Sequence, residues 1–106
     1  MTVQQEFAKA YSVTTSAGLF TMPRQGSPQE MESDHEKLSI RPTHATNGVW
    51  VNRWGGDANT NGDSSFYIPP RVEVVVPYVK ELSMVSESGT VVVSIHGLRT
   101  PDYREV

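Results

Sequence analysis

Wherever the recurrence of apolar side chains along this chain is clear, its period is two. Residues 48–54 (Gly-Val-Trp-Val-Asn-Arg-Trp) set Val49, Val51 and Arg53 on one side and Trp50, Asn52 and Trp54 on the other. Residues 71–76 oppose Val72, Val74 and Val76 to Arg71, Glu73 and Val75, a strand with one dry face. Pro77 cannot donate to a ladder, so this strand is expected at a sheet edge or at a bulge. Residues 78–85 and 90–98 flank Ser86-Glu87-Ser88-Gly89, which reads as a hairpin loop with glycine where φ turns positive. Val91, Val93 and Ile95 share one side of its second strand. A short strand over residues 65–68 precedes the Pro69-Pro70 corner. The strands number about five, fewer than the roughly seven that close an immunoglobulin-type sandwich.

Valine density divides the chain. Nine of its 14 valines lie within residues 72–93, and none lies between Thr14 and Gly48. The N-terminal part is polar and punctuated by Pro23, Pro28 and Pro42. Its apolar residues come singly or in pairs (Phe7, Tyr11, Leu19 with Phe20, Met22, Met31, Leu38, Ile40), too sparse to offset the ordering entropy of the segment alone. Two capping boxes suggest short helices there. Thr2-Val3-Gln4-Gln5 precedes Val3, Phe7 and Tyr11 at helical spacing, and Ser27-Pro28-Gln29-Glu30 opens a second helix to about Leu38. The expected fold is mainly β: a small antiparallel β-sandwich or barrel-like body over residues 48–106. Residues 1–47 form an extended N-terminal arm carrying one or two short helices, and the whole is one domain.

Composition narrows the function classes. The chain has 106 residues, 37% hydrophobic and about 45% apolar with glycine counted, which fits one small domain. It has no cysteine, which excludes disulfide scaffolds, thiolate metal sites and cysteine nucleophiles. A net charge of -3 argues against general binding to nucleic-acid backbones. No apolar run approaches the roughly 18 residues that span a bilayer. No partner membrane or nucleic acid is expected.

Chemistry-bearing motifs are sparse. There is no G-x-S-x-G elbow, P-loop, dinucleotide fingerprint or H-E-x-x-H. His35 falls in a charged run, His44 in a loop, and His96 alternates with Val92 and Ser94 on a strand. The most specific pattern is Asp57-Ala58-Asn59-Thr60-Asn61-Gly62-Asp63, the opening of a D-x-[DN]-x-[DN]-G calcium loop, whose oxygen side chains would converge on a hard cation. Its twelfth position is Ile68 rather than glutamate, so Asp57, Asn59 and Asn61 offer a weak calcium site at most. An Asn/Asp/Gly-rich strand connection explains the same residues. Trp50 and Trp54, with Phe66 and Tyr67 nearby, form either an aromatic platform or one side of the core.

These features point to a non-enzymatic structural or interaction protein, an accessory subunit of a larger assembly. The arm would lie across joints between shell subunits while the β body and its valine-rich edge add buried area. Virus capsid decoration (cement) proteins have this general architecture, which is analogy and not a motif match. Contacts with the partner are expected at Phe7, Tyr11, Leu19, Phe20 and Met22. The partner would be a shell or assembly subunit, in a homo-oligomer or a hetero-assembly, in a virion or the cytoplasm. No cofactor is expected beyond weak calcium. On this reading, deletion through about Ile40 leaves a soluble β body. The alternative is a small β-sandwich carbohydrate-binding module using Trp50, Trp54 and Tyr67 with the calcium loop. An enzyme is the third reading, and it requires His96 or His44 in a cleft beside a carboxylate.

Overall fold

Period-two alternation extends further along the chain than valine density suggests. The computed structural model describes residues 4–23, 36–60, 62 and 64–99. They form β1 (Gln4–Val13), β2 (Gly18–Thr21), β3 (Glu36–Pro42), β4 (Val49–Asn52), β5 (Phe66–Ile68), β6 (Val74–Pro77), β7 (Glu81–Ser86) and β8 (Val91–Arg99). Two antiparallel four-stranded sheets result, a first in the order β1-β8-β3-β6 and a second in the order β2-β7-β4-β5. No helix occurs among the described residues, so none is long and apolar enough to cross a membrane.

The expected N-terminal arm with helices is not what the chain forms. Residues 4–13 pair with β8 from Gln4↔Arg99 to Val13↔Val91. The spacing of four in Val3, Phe7 and Tyr11 belongs to both periods, because an even step returns to the same face of a strand. Tyr11 and Val13 are buried while Ala8, Ala10 and Ser12 are exposed, which is strand alternation. The second expected helix lies mostly outside the described residues, but its last residues, Glu36 to Leu38, open β3. There Leu38, Ile40 and Pro42 point inward, and the neighbours are β8 and β6. Five expected strands have become eight because the polar segment supplies three.

The core is the space between the sheets. Val13, Leu38, Ile40, Val91, Val93 and Ile95 of the first sheet meet Val49, Val51, Ile68, Leu82 and Met84 of the second, all fully buried. The expected hairpin around residues 86–89 proves to be an arch. β7 belongs to the second sheet and β8 to the first, so their apolar stripes face each other across the core instead of lying side by side. The local turn chemistry was read correctly: Gly89 has φ of +63° and its carbonyl accepts the Ser86 hydroxyl. A turn of this kind fixes a reversal of the chain and leaves open which sheet receives it. β6 is an edge strand ending at Pro77, as the missing N–H requires.

A chain shortened to begin after Ile40 loses Val13, Met22, Leu38 and Ile40 from the core and both strand neighbours of β8. At roughly 1.5–3 kcal/mol for each buried side chain, that loss is comparable with the roughly 5–15 kcal/mol that stabilises a domain of this kind. The expected outcome is a fragment without a cooperative thermal transition by circular dichroism. A sharp melt of the fragment would contradict this packing.

Candidate functional site

The alternation that turns apolar residues inward turns a polar set outward, and on the first sheet that set is concentrated. β3 presents Ser39 and Arg41 outward between Leu38, Ile40 and Pro42, and β8 presents Ser94 and His96 between Val93, Ile95 and Gly97. The β3–β8 register places Ser39 opposite His96 and Arg41 opposite Ser94. Thr43, just beyond β3, is fixed by its N–H and its hydroxyl, both donated to the Val92 carbonyl at 2.9 and 2.7 Å. From the other side the β5–β6 connection brings Arg71 and Glu73. Together these groups line a depression of about 280 Å³.

Within it Ser39, almost fully buried, donates its hydroxyl to the Glu73 carboxylate. His96 Nε2 lies 3.2 Å from the Ser94 hydroxyl. Arg71 has φ of +65°, a left-handed conformation that costs a non-glycine residue about 1 kcal/mol. Its backbone N–H donates to the Pro42 carbonyl at 2.8 Å, which holds it at the rim beside Arg41. His96 therefore does sit in a cleft that also contains a carboxylate, although the contacts pair Glu73 with Ser39 and His96 with Ser94. His44 is a turn residue: its Nδ1 accepts the N–H groups of Thr46 and Asn47 at 3.1 and 3.0 Å.

The outer face of the second sheet carries the aromatic residues. Trp50 lies between Val85 of β7 and Tyr67 of β5, with its ring 5.2 Å from that of Tyr67. Both line an open depression of about 450 Å³ with Thr60 and Glu87. Glu87 accepts hydrogen bonds from the Gly48 N–H and the Tyr67 hydroxyl. The Gly48 bond chiefly, then that of Tyr67, holds its carboxyl below the usual glutamate range. The same hydrogen bond to Glu87, with smaller contributions from burial and the negative charge, raises the Tyr67 phenol. Trp54 stands apart. It is 63% exposed, meets Phe66 edge-on at 6.4 Å, and carries the Arg53 guanidinium 5.3 Å from its ring centre.

The segment resembling a calcium loop folds back over this sheet. Ala58 is buried and donates its N–H to the Ser83 hydroxyl at 2.8 Å. The Asn59 N–H donates to the Ser65 hydroxyl, and its side-chain amide to the Asp57 carbonyl. Asn61 and Asp63 lie outside the described residues. Among the described residues no three carboxylate or imidazole groups converge as a metal centre would need.

Of the residues expected to meet a partner, Tyr11 and Met22 are buried. The Tyr11 hydroxyl donates to the Thr21 carbonyl at 2.9 Å, and its ring meets Phe20 edge-on at 5.5 Å. Phe20 packs partly on the core, whereas Leu19 is 64% exposed. Phe7 pairs with Gly97 in β1, and its side chain is outside the described part. The polar depression on the first sheet was not anticipated. Its signal was present as the polar residues alternating with core residues in β3 and β8, but only the pairing of those strands brings them together.

No protein-family model, curated protein or solved structure matches the chain.

Two outcomes follow from the Gly48–Glu87 junction. A Cβ at Gly48 would stand 2.2 Å from the Ile68 carbonyl oxygen, backbone that cannot swing away. Gly48→Ala should therefore destabilise by about 1–3 kcal/mol in urea unfolding, the typical cost of overpacking. A variant as stable as the parent would refute the contact. Glu87 binds its proton less tightly folded than unfolded, so its stabilisation is present above the ordinary glutamate range and fades as pH falls through the lowered folded value. Glu87→Gln should lower the thermal midpoint at pH 7 and leave it nearly unchanged at pH 3. Equal loss at both values would exclude a carboxylate role.

Proposed function

We propose that the protein is a structural or interaction subunit of a larger protein assembly, acting through strand addition at the side of β1 that no described strand pairs. The role is of the kind that a capsid decoration (cement) protein performs on a virus shell. The observation that carries the reading is the contrast among the edge strands. β2, β5 and β6 have four, three and four residues, and β6 ends in proline. Short or proline-terminated edges are the usual defence against unwanted pairing. β1, the fourth edge, has ten residues, with a register shift only near its start between Gln5 and Phe7. It exposes small side chains, Ala8, Ala10 and Ser12, on its outer face. An added strand gains main-chain hydrogen bonds along that length, and the one charged side chain described on β1, Lys9, is drawn over the Tyr11 ring 5.4 Å from its centre.

Exposed apolar side chains at the second sheet's β2 edge (Leu19) and along β6 (Val75) add area that a neighbour would cover. The arm bridging shell joints is replaced by a sheet edge, because β1, β2 and β3 are members of the two sheets. The carbohydrate reading has less support. Its three rings do not share one platform, with Trp50 against Tyr67 and Trp54 against Phe66.

The first partner that such an edge meets is a second copy, since antiparallel β1–β1 pairing generates a closed two-fold dimer. Light scattering after size exclusion should show concentration-dependent association of the intact chain. The double variant Ala8→Lys/Ala10→Lys, which puts like charges on the edge, should be folded and monomeric. An intact chain that stays monomeric throughout, or a lysine variant that associates equally, would overturn pairing through β1.

A further inference from the structure

We propose that the depression on the outer face of the first sheet binds a phosphate group, with Arg41 and Arg71 as its principal ligands. The inference does not rest on the assembly reading. Two guanidinium groups reach one depression from separate elements, Arg41 from β3 and Arg71 from the β5–β6 connection. Among the described residues neither is held by a side-chain hydrogen bond or ion pair. Among the described lining residues the one carboxylate is Glu73, which accepts a hydrogen bond from the Ser39 hydroxyl. Two cations against one anion leave a local positive excess in a chain whose net charge is -3. Such an excess is concentrated enough to attract a small anion.

The backbone supports the same conclusion. Arg71 holds φ of +65°, where glycine or asparagine would sit without strain. An arginine in that place keeps its side chain at the rim at a conformational cost, and strain of this sort gathers where a ligand is held. Carboxylate and phosphate are separated by acceptor count. A carboxylate's two oxygens are satisfied by one guanidinium fork, whereas a phosphate has oxygens for two forks and for a hydroxyl as well. Ser94 and His96 line the same depression. The volume, about 280 Å³, holds the phosphate and the first part of whatever carries it.

The test is calorimetric titration of the intact chain at low ionic strength with inorganic phosphate, phenyl phosphate and acetate. Saturable binding of phosphate is expected, with acetate at least tenfold weaker. Tighter binding of the phenyl ester assigns a phosphomonoester as ligand, and tighter binding of the free ion assigns phosphate itself. Arg41→Ala and Arg71→Gly should each weaken phosphate binding about tenfold or more, the loss of a charge-assisted bond. Glycine relieves the left-handed backbone, so Arg71→Gly should not lower the thermal midpoint, and lost binding cannot be ascribed to unfolding. Glu73→Gln removes a repelling charge and should tighten binding. Absence of saturable binding by the parent chain, acetate binding equal to phosphate, or arginine variants that bind like the parent would each overturn the proposal.

Discussion

The pairing of β8 with β1 on one side and β3 on the other is the interaction on which the rest of the structure depends. Val91, Val93 and Ile95 can be buried only if β8 is central, and a central strand needs two neighbours. Both come from the part of the chain that is poorest in valine. Once β8 is fixed, strand geometry leaves no choice about its other face: Ser94 and His96 must point outward, opposite Arg41 and Ser39. The dry layer and the polar depression are thus two consequences of a single register. A slip of one residue would exchange them, placing a histidine between the sheets.

Sequence period revealed the strands from residue 48 onward, because there the apolar residues are dense enough to show their alternation, and Pro77 left an edge or a bulge as the alternatives for β6, of which the edge is found. It misled at Phe7 and Tyr11, where a step of four residues satisfies helix and strand alike and only burial decides. It also could not separate hairpin from arch at residues 86–89, since Gly89 adopts the same left-handed φ in either. Sheet membership is a long-range property, and no local residue choice encodes it. The same holds for the candidate sites. Arg41 and Arg71 are 30 positions apart in sequence and meet only through the Arg71 N–H bond to Pro42. Glu87, Gly48 and Tyr67 likewise come from three separate elements. By contrast, Asn59 and Gly62, whose N–H donates to the Asn59 carbonyl, lie in a connection between β4 and β5 of the kind that their local turn chemistry suggests.

The two outer faces differ in how they are finished. On the second sheet the β4–β5 connection lies across the surface, burying Ala58 and occupying the Ser83 hydroxyl, so much of that face is spent on the protein's own chain. On the first sheet the described residues leave Arg41 and Arg71 exposed. Charge and hydrogen-bonding capacity that the fold does not consume are therefore concentrated on one side, and the long edge of β1 borders the same sheet.

Every connection between consecutive strands except β4–β5 passes from one sheet to the other. No run of neighbouring described strands in sequence is a sheet in its own right, and β8, the last of the described strands in sequence, is the one that joins β1 to β3. While the chain is being made, β1 therefore has nothing in its sheet to pair with until nearly all the described residues have left the ribosome. The valine-rich strands emerge before their cover is complete. A protein built this way is exposed to aggregation for most of its synthesis, and its yield in a cell should respond to translation speed and chaperone supply more than its final stability would suggest.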